Sequence, residues 1–208
     1  MKLYYAPGAC SLAPHIVARE AGLPIELEKV DIRQSPHQTE TGRDFSEINP
    51  KGYVPVLCLD NGERLTEGVA ILQYLADLNP EAALAPAVGT FERYRLQEWL
   101  TFISSELHKM FSPWLFHPEY GDQPAIVARA KVAERFALLD RHLADRDFLL
   151  GKGFTAADAY CFTIVGWARL KNIDLAPWPN LATYMKRIGE RPGVREALQA
   201  EGLLKTAA

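Results

Sequence analysis

The recurrence of apolar positions changes its period near residue 80. Before that point strand-like and helix-like segments alternate. Lys2–Tyr5 is a short apolar run broken by Pro7-Gly8, which predicts a strand and a turn. Ile16, Val17 and Ala21 recur at helical spacing and Gly22 is a stop signal, so a helix is expected over Pro14–Ala21. Ile25–Val30 alternates apolar and acidic residues, as a half-buried strand does. A polar stretch, Asp31–Gly42, precedes a short helix expected around Asp44–Ile48. Val54–Leu59 predicts a strand that begins at a proline. Asp60-Asn61-Gly62 is a hairpin signal, and Arg64–Thr66 would be the returning strand. Glu67–Leu78 then closes this half as an amphipathic helix with Ile71, Leu72 and Leu75 on one side. The order β-α-β-α-β-β-α suits a small mixed sheet covered by helices.

Asn79–Gly89 is rich in proline and alanine, and beyond it no stretch reads as a strand. Phe91–Phe111 predicts one long helix whose stripe is Leu96, Trp99, Leu100, Ile103, Leu107 and Met110. Ala125–Leu143 predicts another. Ala156–Ala168 is apolar nearly all round and is expected at the centre of a bundle. Its start has capping-box form, Thr155-Ala156-Ala157-Asp158, with Asp in place of Glu. Leu181–Glu190 and Val194–Glu201 complete the bundle. The expected division is residues 1–80, a connector over 81–89, and an all-helical domain over 90–208.

A chain of 208 residues with 48% hydrophobic and 24% charged content can bury a real core. No apolar run reaches the roughly 18 residues that span a bilayer. The N-terminus has no extended apolar segment of the signal-peptide kind, so a cytoplasmic protein is expected. A net charge of −3 with interspersed signs gives no reason to expect nucleic acid or a membrane as partner. Three scattered cysteines argue for a reducing compartment and against both a disulfide framework and a zinc site. Cys58 and Cys161 sit in apolar runs and read as small core residues.

Cys10 differs, because it lies between the first strand and the first helix with Ser11 as an expected N-cap. Free N–H groups and the helix dipole favour a thiolate or another anion there; the other reading is a structural cysteine in a turn. Val54-Pro55 opens a strand with a residue that cannot donate to a ladder. With a cis bond, Val54 would turn its backbone outward to an extended peptide; otherwise this is an ordinary edge proline. Thr66-Glu67-Gly68 puts an acidic side chain and a glycine N–H at a helix start, for ligand binding or as helix-dipole decoration. Beside the apolar stripe of the long helix runs a polar one, Thr101, Ser104, Ser105, His108 and Ser112. It reads as a wet cleft or a solvated face, with Lys109 a fixed cation beside His108. His15, His37, His117 and His142 read as surface residues. Phe111, Trp114, Phe116 and Trp167 are either core aromatics or the walls of an apolar pocket.

In this order and spacing the motifs resemble the beta class of glutathione S-transferases. The carrying residues are Met1-Lys2-Leu3-Tyr4-Tyr5 with Pro7-Gly8-Ala9-Cys10-Ser11, Asn49-Pro50-Lys51-Gly52-Tyr53-Val54-Pro55 and Leu65-Thr66-Glu67-Gly68-Val69-Ala70-Ile71. Glu106-Leu107-His108-Lys109, Phe154-Thr155-Ala156-Ala157-Asp158-Ala159-Tyr160 and Arg191-Pro192 complete the set. The likeness runs from residue 1 to residue 205. It implies a thioredoxin-like α/β domain followed by an all-α helical bundle, a homodimer, and glutathione as co-substrate without a metal. Cys10 would face the glutathione sulfur. Val54, next to a cis Pro55, would pair with the cysteinyl backbone, and Glu67 and Gly68 would hold the γ-glutamyl end. His108 and Lys109 would line the site from the helical half, and Thr101 and Ser105 would contribute from a neighbouring subunit. Two departures stand out: Thr101 replaces the usual asparagine, and Gln34-Ser35-Pro36-His37-Gln38 lacks the lysine that relatives carry in that loop.

The activity so implied is attack of the glutathione thiolate on a small hydrophobic electrophile held by Phe111, Trp114, Phe116 and Trp167. One alternative is thiol–disulfide exchange or reductive dehalogenation through Cys10. Another is a ligand-binding module without catalysis, against which the intact set of Cys10, Val54-Pro55 and Glu67-Gly68 weighs.

Overall fold

A computed structural model describes residues 1–204. Its internal contacts divide the chain into two units. One is Met1–Ala85 together with the segment that begins at Arg191; the other is Pro86–Glu190.

The first unit is built on a five-stranded mixed sheet of order β3-β2-β1-β4-β5. The strands are β1 (Lys2–Tyr5), β2 (Glu26–Asp31), β3 (Gln38–Thr39), β4 (Val56–Cys58) and β5 (Arg64–Leu65). Leu3, Tyr4 and Tyr5 are all buried, which explains why β1 lacks alternation: a strand covered on both faces has no polar side. It pairs parallel with β2, Leu3 opposite Leu27, and antiparallel with β4, Leu3 opposite Leu57. Helix α1 (Leu12–Glu20) packs against α2 (Gly68–Leu78). Strand β3 lies inside the stretch expected to be polar loop. Two residues are too few to display a period, and Thr39 joins the sheet opposite Val30 while Thr41 donates to the buried Glu28 at 2.6 Å.

The last helix, α8 (Pro192–Ala200), departs from the expected all-helical domain over 90–208, because it packs on α1. Gly193 lets the helices close: a Cβ there would come within 2.9 Å of the Glu20 side chain. Arg191 Nε donates to Glu20 Oε1 at 3.1 Å. At the other end, Glu201 accepts the Gly8 N–H at 2.9 Å and lies 2.9 Å from His15 Nδ1. His15 is therefore fully buried rather than a surface residue. Its partner is 186 residues away, which no local pattern reveals.

The second unit contains α3 (Phe91–Phe102), a π-helical segment Ile103–His108, α4 (Lys109–Phe111), α5 (Asp122–His142), α6 (Ala156–Leu170) and α7 (Pro179–Gly189). The single long helix expected over Phe91–Phe111 is thus interrupted. Ser104 and Ser105 both donate their hydroxyls to the Thr101 carbonyl, at 3.1 and 2.8 Å, drawing it from the regular ladder. The buried series runs Leu96, Leu100, Ile103, Leu107 and Phe111, while Met110, expected in the stripe, is half-buried. Among the described residues no helix is long and apolar enough to cross a membrane.

Helix α6 is the centre of this unit, with Ala156, Ala157, Ala159, Tyr160, Cys161, Ile164 and Val165 buried. Asp158, wholly enclosed, caps it. Its carboxylate accepts the Thr155 N–H and hydroxyl at 2.8 and 2.9 Å, the Leu149 N–H at 2.9 Å and the Tyr184 hydroxyl at 3.0 Å. Asp158→Ala would strand these buried donors together, and is expected to cost about 3–4 kcal/mol. Urea unfolding of both proteins checks this; an unchanged midpoint would contradict it.

Candidate functional site

In the first unit, the turn between β1 and α1 carries Cys10. Ser11 occupies the N-cap position but makes no cap bond; its buried hydroxyl instead accepts the Ala6 N–H and donates to the Ala6 carbonyl, at 3.1 and 3.2 Å. The Ser11 cap expected from sequence is thereby corrected: the hydroxyl closes the turn. Cys10 is half-buried, and its thiol donates to the Val54 carbonyl at 3.2 Å. The Val54-Pro55 bond is cis. Cys10 and the Val54 backbone, 44 residues apart in sequence, thus form one constellation.

Glu67 sits immediately before α2 at φ 68°, a left-handed conformation that L side chains rarely adopt and that costs on the order of 1–3 kcal/mol. Gly68 is the first residue of that helix. Lys51, quoted in sequence only within the Asn49–Pro55 motif, reaches Glu67 Oε1 at 2.7 Å and Thr66 Oγ1 at 3.0 Å. Arg64 donates to the carbonyls of Glu47 and Ile48, and Asn49 Nδ2 to that of Tyr53. These contacts tie the loop bearing Val54 to the segment bearing Glu67. The Lys51–Glu67 pair is solvent-exposed on both sides, so it is weak and easily exchanged for a ligand's charges.

In the second unit, the π-helical segment ends at His108. Its Nδ1 lies 2.7 Å from the Tyr160 hydroxyl on α6, and its ring packs edge-on against Trp167 at 4.9 Å. Burial, and after it the neighbouring Lys109, push the imidazole pKa down to about 4, so the ring is neutral near pH 7. Thr101 and Ser105 are exposed, with the Ser105 hydroxyl already donated to Thr101. Of the four aromatics proposed for an apolar pocket, Phe111 is fully buried and Trp167 nearly so. Phe111 packs on Phe136 and Trp167 as part of the core. Trp114 is exposed and Phe116 half-buried, with Lys171 Nζ 3.9 Å above the Phe116 ring.

Among the cysteines, Cys161 is wholly enclosed and its thiol pushed far up by that burial, so it is inert as a nucleophile. Cys58 is half-buried, packed at the edge of the cluster around Tyr4 and Val56, rather than within the core as expected. Sequence reasoning passed over Lys51 and Tyr160. The signal for Tyr160 was a hydroxyl on a helix otherwise apolar all round, which needs a partner; Lys51 gave no local signal.

Residues 8–78 match the family model "Glutathione S-transferase, N-terminal domain", and residues 103–192 match "Glutathione S-transferase, C-terminal domain". The chain is 45% identical over 203 residues to glutathione S-transferase GstA of Escherichia coli O157:H7, covering 98% of this chain and 100% of that protein. The structure of the beta-class glutathione S-transferase of Sphingomonas chungbukensis superposes with a TM-score of 0.93 at 48% identity, over 98% of this chain and 100% of that one. A sphingomonad glutathione S-transferase complexed with glutathione superposes equally well, with TM-score 0.93, 48% identity and coverage of 98% and 100%. With a thioredoxin-like unit and a helical unit each matched, and relatives that align along nearly its whole length, the chain belongs to the glutathione S-transferase family, in its bacterial beta class.

Proposed function

We propose that this transferase binds glutathione, holds it as a thiolate and joins it to a small hydrophobic electrophile, giving a thioether and a leaving group or opened ring. The observation that carries the reading is the pairing of Cys10 with the Val54 carbonyl, on a loop tied to Glu67 and Gly68. That set offers anchors for the cysteinyl and γ-glutamyl units of the tripeptide. The thiol of Cys10 donates to the ligand sulfur, and the Val54 backbone beside Pro55 pairs with the cysteinyl unit. Glu67 takes the γ-glutamyl ammonium, and the Gly68 N–H takes its carboxylate at the start of α2. Lys51, released when Glu67 turns to the ligand, offers the cation that the loop over Gln34–Gln38 lacks. A similar sphingomonad protein complexed with glutathione supports the choice of ligand.

His108 and Lys109 take part by different means. A neutral imidazole positions by hydrogen bonding, whereas Lys109 contributes charge that favours the thiolate. Trp114 and Phe116 present apolar surface to the electrophile, backed by Phe111 and Trp167. Thr101 and Ser105, exposed on the single chain, meet the second copy of a cytoplasmic homodimer. A second reading rests on Cys10 being half-buried while Cys161 is enclosed. The Cys10 thiolate attacks oxidised glutathione, forming a mixed disulfide and expelling glutathione thiolate.

Calorimetry with glutathione tests the main reading. Wild type is expected to bind, and Glu67→Ala to weaken binding about tenfold through loss of a charge-assisted contact. KM for glutathione should rise while kcat stays nearly constant, since the contact is remote from the sulfur. No binding by wild type, or a pure kcat loss in the variant, would contradict it. Incubation with oxidised glutathione should give a mass adduct on Cys10 that Cys10→Ala abolishes. The adduct appearing on Cys58 instead would refute the role given to Cys10.

A further inference from the structure

The Tyr160 hydroxyl lies 2.7 Å from His108 Nδ1, and the two rings meet edge to face at 5.9 Å between centroids. A neutral imidazole has one N–H, so this contact decides which nitrogen carries it. If Nδ1 donated to the phenol oxygen, Nε2 would keep a lone pair and serve as a base. If the phenol donates to Nδ1, Nε2 carries the proton and serves as a donor. The two arrangements give His108 opposite roles toward a thiol.

The acid–base character of the two groups selects between them. Imidazole nitrogen is a basic acceptor with an ordinary pKa of about 6.5. A phenol, ordinary pKa about 10, is a better donor than acceptor because its lone pair is shared with the ring.

We propose that Tyr160 fixes the tautomer of His108 by donating to Nδ1, so that Nε2 carries the single ring proton. His108 then acts on glutathione as a hydrogen-bond donor and not as the base that takes its thiol proton. Tyr160 is a positioning residue, acting through His108. It is suited to that task, since it is itself buried and stands two residues from Asp158, the cap that fixes the start of α6. Trp167, further along the same helix, packs the His108 ring at 4.9 Å and limits its rotation. The inference rests on the proposed function only for the identity of the ligand, while the tautomer stands on the Tyr160 contact alone.

Nitrogen-15 spectra of the histidine rings near pH 7 test it directly, with His108→Gln used to assign the His108 signals. In wild type Nδ1 should resonate as an unprotonated nitrogen and Nε2 as a protonated one. In Tyr160→Phe the two should move towards each other as both tautomers become populated, and kcat for conjugation should fall about fivefold, the worth of one neutral hydrogen bond. A protonated Nδ1 in wild type overturns the proposal, and so does a His108 spectrum unaltered in Tyr160→Phe. The wild-type spectrum decides even if the variant does not fold. Adding glutathione to wild type separates the two claims: no response anywhere in the spectrum counts against the ligand, and leaves the tautomer result as measured.

Discussion

A carboxylate wholly removed from water survives inside the helical unit because four donors converge on it. Asp158 receives two from Thr155, one from Leu149 and one from Tyr184. Burying an ion unpaired would cost several kcal/mol, so the arrangement holds only if the incoming loop, the start of α6 and a residue of α7 are all in place. The first turn of α6 is thereby fixed in position and rotation. Tyr160, half a turn further on, and Trp167, two turns beyond that, then stand where the His108 ring is received. A capping interaction near the N-terminus of one helix thus reaches the His108 side chain on another.

The sheet unit uses a related device. Glu201, at the end of α8, is buried between His15 Nδ1 and the Gly8 N–H. Arg19 Nε donates to the other nitrogen of His15 at 3.3 Å, so the histidine bridges a cation and a carboxylate. Gly8 belongs to the turn that leads into Cys10, and Ser11 closes the same turn onto Ala6. Chain segments nearly two hundred residues apart therefore define the backbone around the half-buried thiol. The electrostatics differ between the two units: Cys10 sits at the edge of water, whereas His108 is pressed towards neutrality by burial and by Lys109.

Much of this was legible in sequence, for physical reasons. The alternation in Ile25–Val30, the Asp60-Asn61-Gly62 turn and the all-round apolar character of Ala156–Ala168 report burial and turn geometry directly, and each found its counterpart. The capping box at Thr155 to Asp158 was visible because both partners lie within one turn. The features that escaped depended on distant partners or on competition within the backbone. His15 looked like a surface residue because Glu201 is 186 positions away. The helix over Phe91–Phe111 hid its π-helical segment, because the buried series keeps steps of three and four straight through it, and the adjacent Ser104 and Ser105 were its one trace in sequence. Val194–Glu201 carried a helical pattern that says nothing of which unit it packs on. In the candidate site, Cys10, Val54 and Glu67 stand out in the sequence as motif residues, whereas the contacts of Lys51 with Glu67 and of Tyr160 with His108 become visible only in the folded chain.

On the proposed mechanism the protein ionises a thiol without a histidine cation, using a donor set and the charge of Lys109. Ultraviolet titration of thiolate absorbance in the complex with glutathione tests this most directly, with Cys10→Ala measured in parallel to remove the contribution of the protein's own thiol. Bound glutathione is expected to ionise at a distinctly lower pH than free glutathione in both proteins. A midpoint for the bound thiol equal to that of the free one, with binding demonstrably complete, would contradict the mechanism.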